Sequence, residues 1–566
     1  MKALSRDTRA KWMATAPNSL VTCLVAALGT LLGAPLAHAF PISTDVPELT
    51  LEWSNTVRYG VSQRVKSQSE ALINSLPLTI NQDDGDRAFN RGIVSNRLDL
   101  FSEFDLRYSN FGARVSGAAW YDQVYNRTND NTSAATFNAV SVPSNEFTKT
   151  ARNLHGGKAE FLDAFVFGKG TVGDLPVSFR AGRFALLWGE SLFFGSNGIA
   201  GTQSAVDIIK LSSVPNAVFR ETIRPDEQVS GQVQFNAELS AGAYYKFNWQ
   251  KNRLPAVGSY FASTDIINGG ERLLTGGAFP TGAKQAFFRG EDMEAKNSGQ
   301  GGVQLKWRPA ADWDLGFYAL KYHDRNPLIY QYGGVSVSPV TGQIGFYKLV
   351  YAENVKAFGT SLNTSFGSVS FSAEGSVRRD APLVSDGQAV APTVTANNNS
   401  NPLYAVGNTG HLQASFIWTT DPNLLAREAS LVGEVAFNRR LSVSKNPNAL
   451  AAFGERDALG LRLIYTPTYR QVLPGLDISV PIGGSYFPKG KSTAVANFGV
   501  DKGGDYTVGV AGAYLDVWRF SLSYTGFYGP ENTFLILNKP GGTPTASFGQ
   551  SLKDRNFVAL SLSRTF

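Results

Sequence analysis

The chain of 566 residues has one cysteine, three methionines and four histidines. The thiol, Cys23, falls inside a segment read below as a cleaved leader, so the mature protein has none. Disulfides, cysteine-ligated zinc and thiol catalysis are excluded together. The histidines after the leader, His155, His323 and His411, form no H-x-x-x-H or H-E-x-x-H pair, and no metal centre or cofactor is expected from them. Long apolar runs are missing as well, since nothing after residue 40 reaches the roughly 18 residues of a membrane helix. An excess of one charge is small. Of the net +6, half comes from Lys2, Arg6, Arg9 and Lys11 against Asp7, and the remainder is too little to indicate a nucleic-acid partner.

Those four bases open a secretory signal, which continues through the mostly apolar run Leu20 to Leu36 and ends at Ala37-His38-Ala39, an A-x-A cleavage site. Phe40 is expected to begin the mature chain. Leu20-Val21-Thr22-Cys23 is a poor lipoprotein signal, because the apolar run follows this cysteine. An exported chain without a membrane helix enters a bilayer only as a closed barrel.

Glycine is plentiful, at 57 residues, with 12% aromatic, 17% charged and 43% apolar residues and a mean hydropathy of -0.13. That balance excludes disorder, collagen and coiled coil. From Arg97 to Tyr108 the even positions are Leu98, Leu100, Ser102, Phe104, Leu106 and Tyr108, and the odd ones are mostly charged, a period of two. A soluble sandwich can show the same alternation. The arrangement of connections separates the two. Eighteen such segments are predicted, near 49-65, 94-108, 113-126, 160-168, 176-188, 229-236, 239-249, 303-308, 313-322, 355-366, 369-379, 411-419, 429-438, 457-466, 476-484, 505-514, 517-528 and 557-566. Odd-numbered connections are long and even-numbered ones short. An all-β, antiparallel, up-and-down transmembrane barrel of 16 to 18 strands requires that parity, with short periplasmic turns, long extracellular loops and residues 40-566 as one domain. Phe566 ends the last apolar face, as bacterial barrel-assembly machinery expects, although Arg564 departs from that signal. Trp53, Trp249, Trp307, Trp313, Trp418 and Trp518 fall near strand ends, where aromatic girdles meet outer-membrane lipid.

A barrel of this size leaves a lumen wide enough for water, so passage is the expected function. Alternation points Arg97, Arg107, Arg114, Arg180, Lys246, Lys306, Arg308, Arg378, Arg462 and Arg519 inward, against Asp99, Glu103, Asp105, Asp314, Glu374, Glu434 and Asp477. Rows of opposite sign select solutes by charge and size; paired across strands, the same residues only brace the wall. The connection Gly189 to Gln228 is too apolar for a segment bathed in water, at Leu192-Phe193-Phe194 and Val206 to Leu211. It is expected to fold into the lumen, with packing against the outer rim as the alternative. Loops 250-302 and 380-410, with Asn397-Asn398-Asn399-Ser400-Asn401, read as solvated and mobile. Asp83-Asp84-Gly85-Asp86 and Asn129-Asp130-Asn131 offer oxygens suited to calcium, but neither has EF-hand spacing, and both read as solvated turns.

Signals for catalysis are weak. Gly189-Glu190-Ser191-Leu192-Phe193 lacks the second glycine of a nucleophile elbow. His411, at the start of a strand, is the one position that mimics a barrel lipase. Gly168-Lys169-Gly170-Thr171-Val172-Gly173 matches G-x-G-x-x-G but sits in a short turn with no helix after it. No enzyme is expected.

Several motifs carry a resemblance. Gly92 to Leu100, Trp120-Tyr121-Asp122, Leu162 to Val166, Ala181-Gly182-Arg183, Leu187 to Gly195 and Leu254 to Phe261 are similar to a large Gram-negative family, domain of unknown function 1302. The resemblance covers essentially the whole mature chain. It implies an outer-membrane barrel working with an envelope transporter and a second, periplasmic envelope protein, in the movement of hydrophobic or amphipathic molecules. It brings no catalytic residues. Arg183, Trp188, Glu190 and Asn197 are its motif positions here, with no role attached.

Overall fold

The computed structural model describes residues 40–42, 44–77, 79–214, 219–422, 424–537 and 543–566. The signal read over residues 1–39 and residues 215–218 of the apolar connection lie outside these. Eighteen antiparallel strands close into a barrel. They are β1 Leu49–Arg64, β2 Gly92–Tyr108, β3 Phe111–Asp122, β4 Gly157–Val172, β5 Leu175–Phe184 and β6 Asp226–Gln234. Next come β7 Leu239–Lys246, β8 Gln300–Ala310, β9 Trp313–Tyr322, β10 Val355–Phe366, β11 Val369–Pro382 and β12 Val406–Thr420. The ring continues with β13 Glu428–Lys445, β14 Asp457–Leu473, β15 in two pieces at Leu476–Ser479 and Ile482–Lys489, β16 Gly504–Tyr514, β17 Trp518–Tyr528 and β18 Phe557–Thr565. Each strand pairs with the next in sequence, and β18 returns to β1 with Thr565 opposite Thr56 and Phe557 opposite Arg64.

Local chemistry explains the interruptions. Pro481 has no N–H for the ladder and stands in the gap of β15. Between β16 and β17, Leu515 and Asp516 both hold positive φ, at 53° and 56°, as a turn matched to the twist of its flanking strands requires. Outside the barrel, apolar side chains stand exposed in a belt, among them Phe161 at 72% and Leu412 at 59%. An apolar exterior around a closed ring of strands is what a bilayer solvates. Exposed Trp53, Trp307, Trp313 and Trp418 lie beside the short turns, as a girdle does. Trp249 departs from that expectation. It is buried among the outer loops, edge-on to Tyr351 with ring centroids 4.9 Å apart. Arg564 belongs to the girdle, its guanidinium 5.1 Å from the Trp518 ring.

The long connections form a packed roof, which corrects the reading of loops 250-302 and 380-410 as solvated. Arg272–Ala278, Lys284–Arg289, Gln343–Val350, Leu328–Ser338 and Gln388–Ala389 build a separate five-stranded sheet. Phe89, Tyr125, Phe147 and Tyr260, from three different connections, form one buried cluster. Leu383 and Ala405 are buried too. The asparagine run is structural, since Asn398 Nδ2 donates to the carbonyls of Glu294 and Tyr351. Asp83, Asp84 and Asp86 are likewise buried rather than solvated, because Asn131 and Asn138 of the next connection donate to Asp84.

His155 lies under this roof, stacked on Tyr125 at 4.7 Å, its Nε2 accepting from the Ala256 N–H. Burial pushes its pKa down from 6.5 to about 3. A depressed histidine contributes stability above its unfolded value and loses it as pH falls. Protease sensitivity of the outer loops is therefore expected to rise as pH drops from about 6.5 towards 4, and His155→Gln is expected to flatten that profile.

Candidate functional site

The connection between β5 and β6 crosses the inside of the barrel. Its first half is held by inward residues of β7 to β13. Trp188 is buried edge-on against Tyr244 of β7, at 5.0 Å, and near Tyr318 of β9, at 6.1 Å. Glu374 of β11 accepts the N–H groups of Glu190 and Ile199, at 2.8 and 2.5 Å. Glu434 of β13 accepts those of Leu192, Phe193 and Phe194, at 3.2, 2.5 and 2.8 Å. Arg378 Nη2 donates to the carbonyls of Ser196, Asn197 and Gly198 at 2.8 to 3.0 Å. Bends that leave backbone groups without partners are tolerated in a barrel interior because charged wall residues satisfy them.

Two glycines permit this approach. Gly189 has φ +93°, and a Cβ there would stand 2.3 Å from Glu374 Oε2. A Cβ at Gly359 of β10 would stand 2.7 Å from Ile199 Cδ1.

From Thr202 onward the segment is held by Lys246 and Arg325 and then reaches β4 and β1. Lys246, 1% exposed, pairs with Asp226 and donates to the Gln203 carbonyl. Arg325 donates to the carbonyls of Thr202 and Gln203 at 3.2 and 2.8 Å. Asp207 caps the short helix Ile208–Ser213 through the Lys210 N–H and pairs with Arg253 at 2.7 Å. Arg253 also pairs with Glu160 of β4 at 2.5 Å, and Arg58 of β1 with Glu221 at 3.2 Å. Burial opposes the charge on Arg253, but Glu160 and Asp207 outweigh it and hold the guanidinium above its ordinary value. For Lys210, burial wins over Glu160 and lowers the ammonium. In a ring of eighteen, β1 and β4 face β11 and β13, so these contacts span the lumen.

The inward charges thus have partners of several kinds. Glu374, Arg378, Glu434, Lys246 and Lys306, the last 3.2 Å from Glu190, hold the crossing segment. Arg97 pairs with Asp99 at 2.7 Å and lies over the Trp120 ring. Arg114 bridges Asp105 at 2.8 Å and Glu103 at 3.8 Å. Arg462 meets Asp505 at 3.1 Å and the Phe193 ring at 5.6 Å. Arg308 faces Asp314 at 3.4 Å, while Asp477 pairs with Arg470. Arg107, Arg180 and Arg519 are exposed. Of the motif positions, Trp188, Glu190 and Asn197 belong to the crossing segment, and Arg183 sits at its foot, opposite Glu227 on β6. Sequence reasoning missed Gln203, Asp207, Arg253 and Arg325. No local pattern marked them, since their partners are distant backbone and loop groups.

His411 is buried against the crossing segment and does not face lipid. Its Nδ1 contacts Asn197 Oδ1 at 3.2 Å and its Nε2 contacts Thr409 Oγ1 at 2.8 Å. It positions the crossing segment.

Between that segment, the undersides of the outer loops and the far wall lies a cavity of about 1040 Å³. Leu192, Phe193, Phe194, Leu211, Phe487 and Phe498 line it, with Arg462 and Asp505 on the barrel side.

No curated protein matches this sequence. Many solved structures are similar, among them three outer-membrane proteins. OccAB1 of Acinetobacter baumannii is 12% identical over 94% of this chain and 99% of its own, with a TM-score of 0.43. OpdK of Pseudomonas aeruginosa, crystallised with vanillate, is 9% identical over 91% and 98%, with a TM-score of 0.39. OmpT, an outer membrane protein of Vibrio cholerae, is 10% identical over 93% and 100%, with a TM-score of 0.35. Similarity at that level carries no argument about what passes through this barrel. Residues 20–566 match the family described as protein of unknown function (DUF1302), and the chain belongs to that family.

Proposed function

We propose that the protein is an outer-membrane channel for small hydrophobic or amphipathic solutes, with the segment Leu187 to Leu211 as its constriction. One observation carries this reading: the cavity inside the barrel is lined by Leu192, Phe193, Phe194 and Leu211 of the crossing segment together with Phe487 and Phe498, on which Phe194 packs. Water alone does not need such a lining. Apolar walls with a few polar groups at fixed places are typical of sites that hold organic molecules.

The test is single-channel recording in a planar bilayer, with hydrophobic acids and aromatic alcohols added in turn. Discrete steps that one solute class blocks are expected. A folded, inserted barrel that neither conducts nor takes up any of these solutes would overturn the reading.

A second reading, a barrel that docks a periplasmic partner such as the adaptor of an envelope transporter, has its own observation. Leu424 is 106% and Leu425 66% exposed on the turn between β12 and β13. They stand beside the exposed ion pairs of Arg470 with Glu428 and Asp477. A photo-crosslinker at Leu424 is expected to capture the partner in cells, and no adduct from a normally inserted barrel would count against docking there.

A further inference from the structure

Three acidic residues from two distant connections meet inside the roof. Asp83 and Asp84 stand at the start of a short helical turn between β1 and β2, and Asp265 comes from the connection between β7 and β8. One carboxylate oxygen of each lies within 4.8 Å of the other two. Their exposures are 0%, 1% and 0%. Among the described residues, Arg87 is the one cation within ion-pair distance, on Asp83 Oδ2.

A cluster of acids becomes a candidate site only if its oxygens are left over for a ligand. Each Asp84 oxygen accepts one hydrogen bond, Oδ1 from Asn131 Nδ2 at 3.3 Å and Oδ2 from the Asn138 N–H at 3.1 Å, and keeps a further lone pair for a ligand. Asp265 Oδ2 accepts from the Asp84 N–H at 3.1 Å. Asp265 Oδ1 and Asp83 Oδ1, by contrast, are buried with no hydrogen-bond partner. So is the side-chain carbonyl of Asn138, a fully buried residue already bonded to Asp84. A buried acceptor without a donor is costly. Two such carboxylate oxygens in one cluster, next to more negative charge than Arg87 offsets, ask for a cation.

We propose that Asp83, Asp84 and Asp265 hold a divalent cation, of which calcium fits best, and that the ion staples the outer loops together. All the available ligands are oxygens, which hard cations take. Calcium accepts six to eight at about 2.4 Å in loose geometry. Oxygens on opposite sides of such an ion stand about 4.8 Å apart, and one oxygen of each of the three carboxylates lies within that reach of the others. Magnesium demands a tighter octahedron and keeps its waters. The carbonyls of Ser259 and Ala262 also approach this helical turn, 2.5 and 3.0 Å from where a Cβ of Gly85 would be. Burial and the neighbouring Asp83 push Asp265 up to about 8, and burial with Asp265 raises Asp84. A cation removes that repulsion.

The experiment uses the full folded barrel in detergent, stripped with chelator and titrated with calcium chloride by calorimetry. One calcium per barrel is expected to bind, with magnesium at the same concentration failing to compete. Bound calcium should raise the thermal midpoint and protect the outer loops from protease. Asp265→Asn keeps the shape and removes one charge, and it should weaken binding by well over about tenfold, since even outer-shell changes cost about 10–100-fold. Asp83→Asn serves as the second variant, with insertion of both checked by the heat-modifiable mobility of the barrel. Absence of binding to the wild-type barrel would overturn the proposal, as would binding that Asp265→Asn and Asp83→Asn both leave unchanged. If protons neutralise the cluster instead, the wild-type barrel takes up no calcium, and Asp265→Asn is more stable than wild type at neutral pH with or without calcium.

Discussion

Deletion of residues 192–211 is expected to raise single-channel conductance by roughly an order of magnitude, towards that of an unobstructed barrel of this strand number. The expectation follows from where the segment is tied. Three N–H groups on Glu434 and three carbonyls on Arg378 hold it across the lumen, and a bond to a charged group contributes about 1.5–3 kcal/mol. Removing the segment exposes Glu434 and Arg378 to lumen water, which hydrates them, so the wall has no reason to collapse. Glu434→Ala is the graded version. It loosens the Leu192 to Phe194 bend without shortening the chain, and it should add brief open events to the trace. Conductance unchanged by the deletion, in a barrel that inserts normally, would mean that the current runs elsewhere.

Lys246→Met is expected to cost about 3–5 kcal/mol of stability, the usual consequence of leaving one member of a buried ion pair alone. Asp226 has no exposure to water with which to replace the ammonium, and its other acid oxygen is held by Gln250 Nε2 at 3.1 Å. The Gln203 carbonyl loses a donor in the same change. Urea unfolding in detergent, followed by tryptophan fluorescence, measures the loss. Lys246→Met combined with Asp226→Leu should recover most of it, because an apolar pair of similar volume carries no stranded charge. Equal stability of Lys246→Met and wild type would show that water reaches this pair.

All eighteen strands were legible because alternation is local: each strand announces its two faces over a few residues. Edges were less so. β13 runs on to Lys445 and β14 to Leu473, beyond 438 and 466, because strands that rise out of the bilayer no longer need an apolar face. The outer loops were misread for a different reason. Phe89 and Tyr125 are singly unremarkable in sequence, Tyr260 stood in a motif with no role attached, and only the barrel brings their connections together. The same holds at the crossing segment. Inward charge on Glu374 and Glu434 followed from periodicity, but their ligands are backbone N–H groups 184 and about 240 positions away, and no side-chain pattern marks a backbone donor. Trp188 and Asn197 stood out by resemblance, and the structure gives them a physical reason, an aromatic anchor and a bridge to His411.

The seam of the barrel bears on how the chain is made. Thr56 and Thr565 touch across 509 positions of sequence, and the last residue, Phe566, exchanges two backbone hydrogen bonds with Asn55. Contacts of such separation form late and slowly. Until β18 is made, Thr56 to Arg64 of β1 have no partner on one side, and every intermediate displays an open edge together with a face meant for lipid, the two features that drive aggregation. Folding therefore cannot proceed from the first strand onward as the chain emerges. The pairing of β18 with β1 is the step that completes the ring.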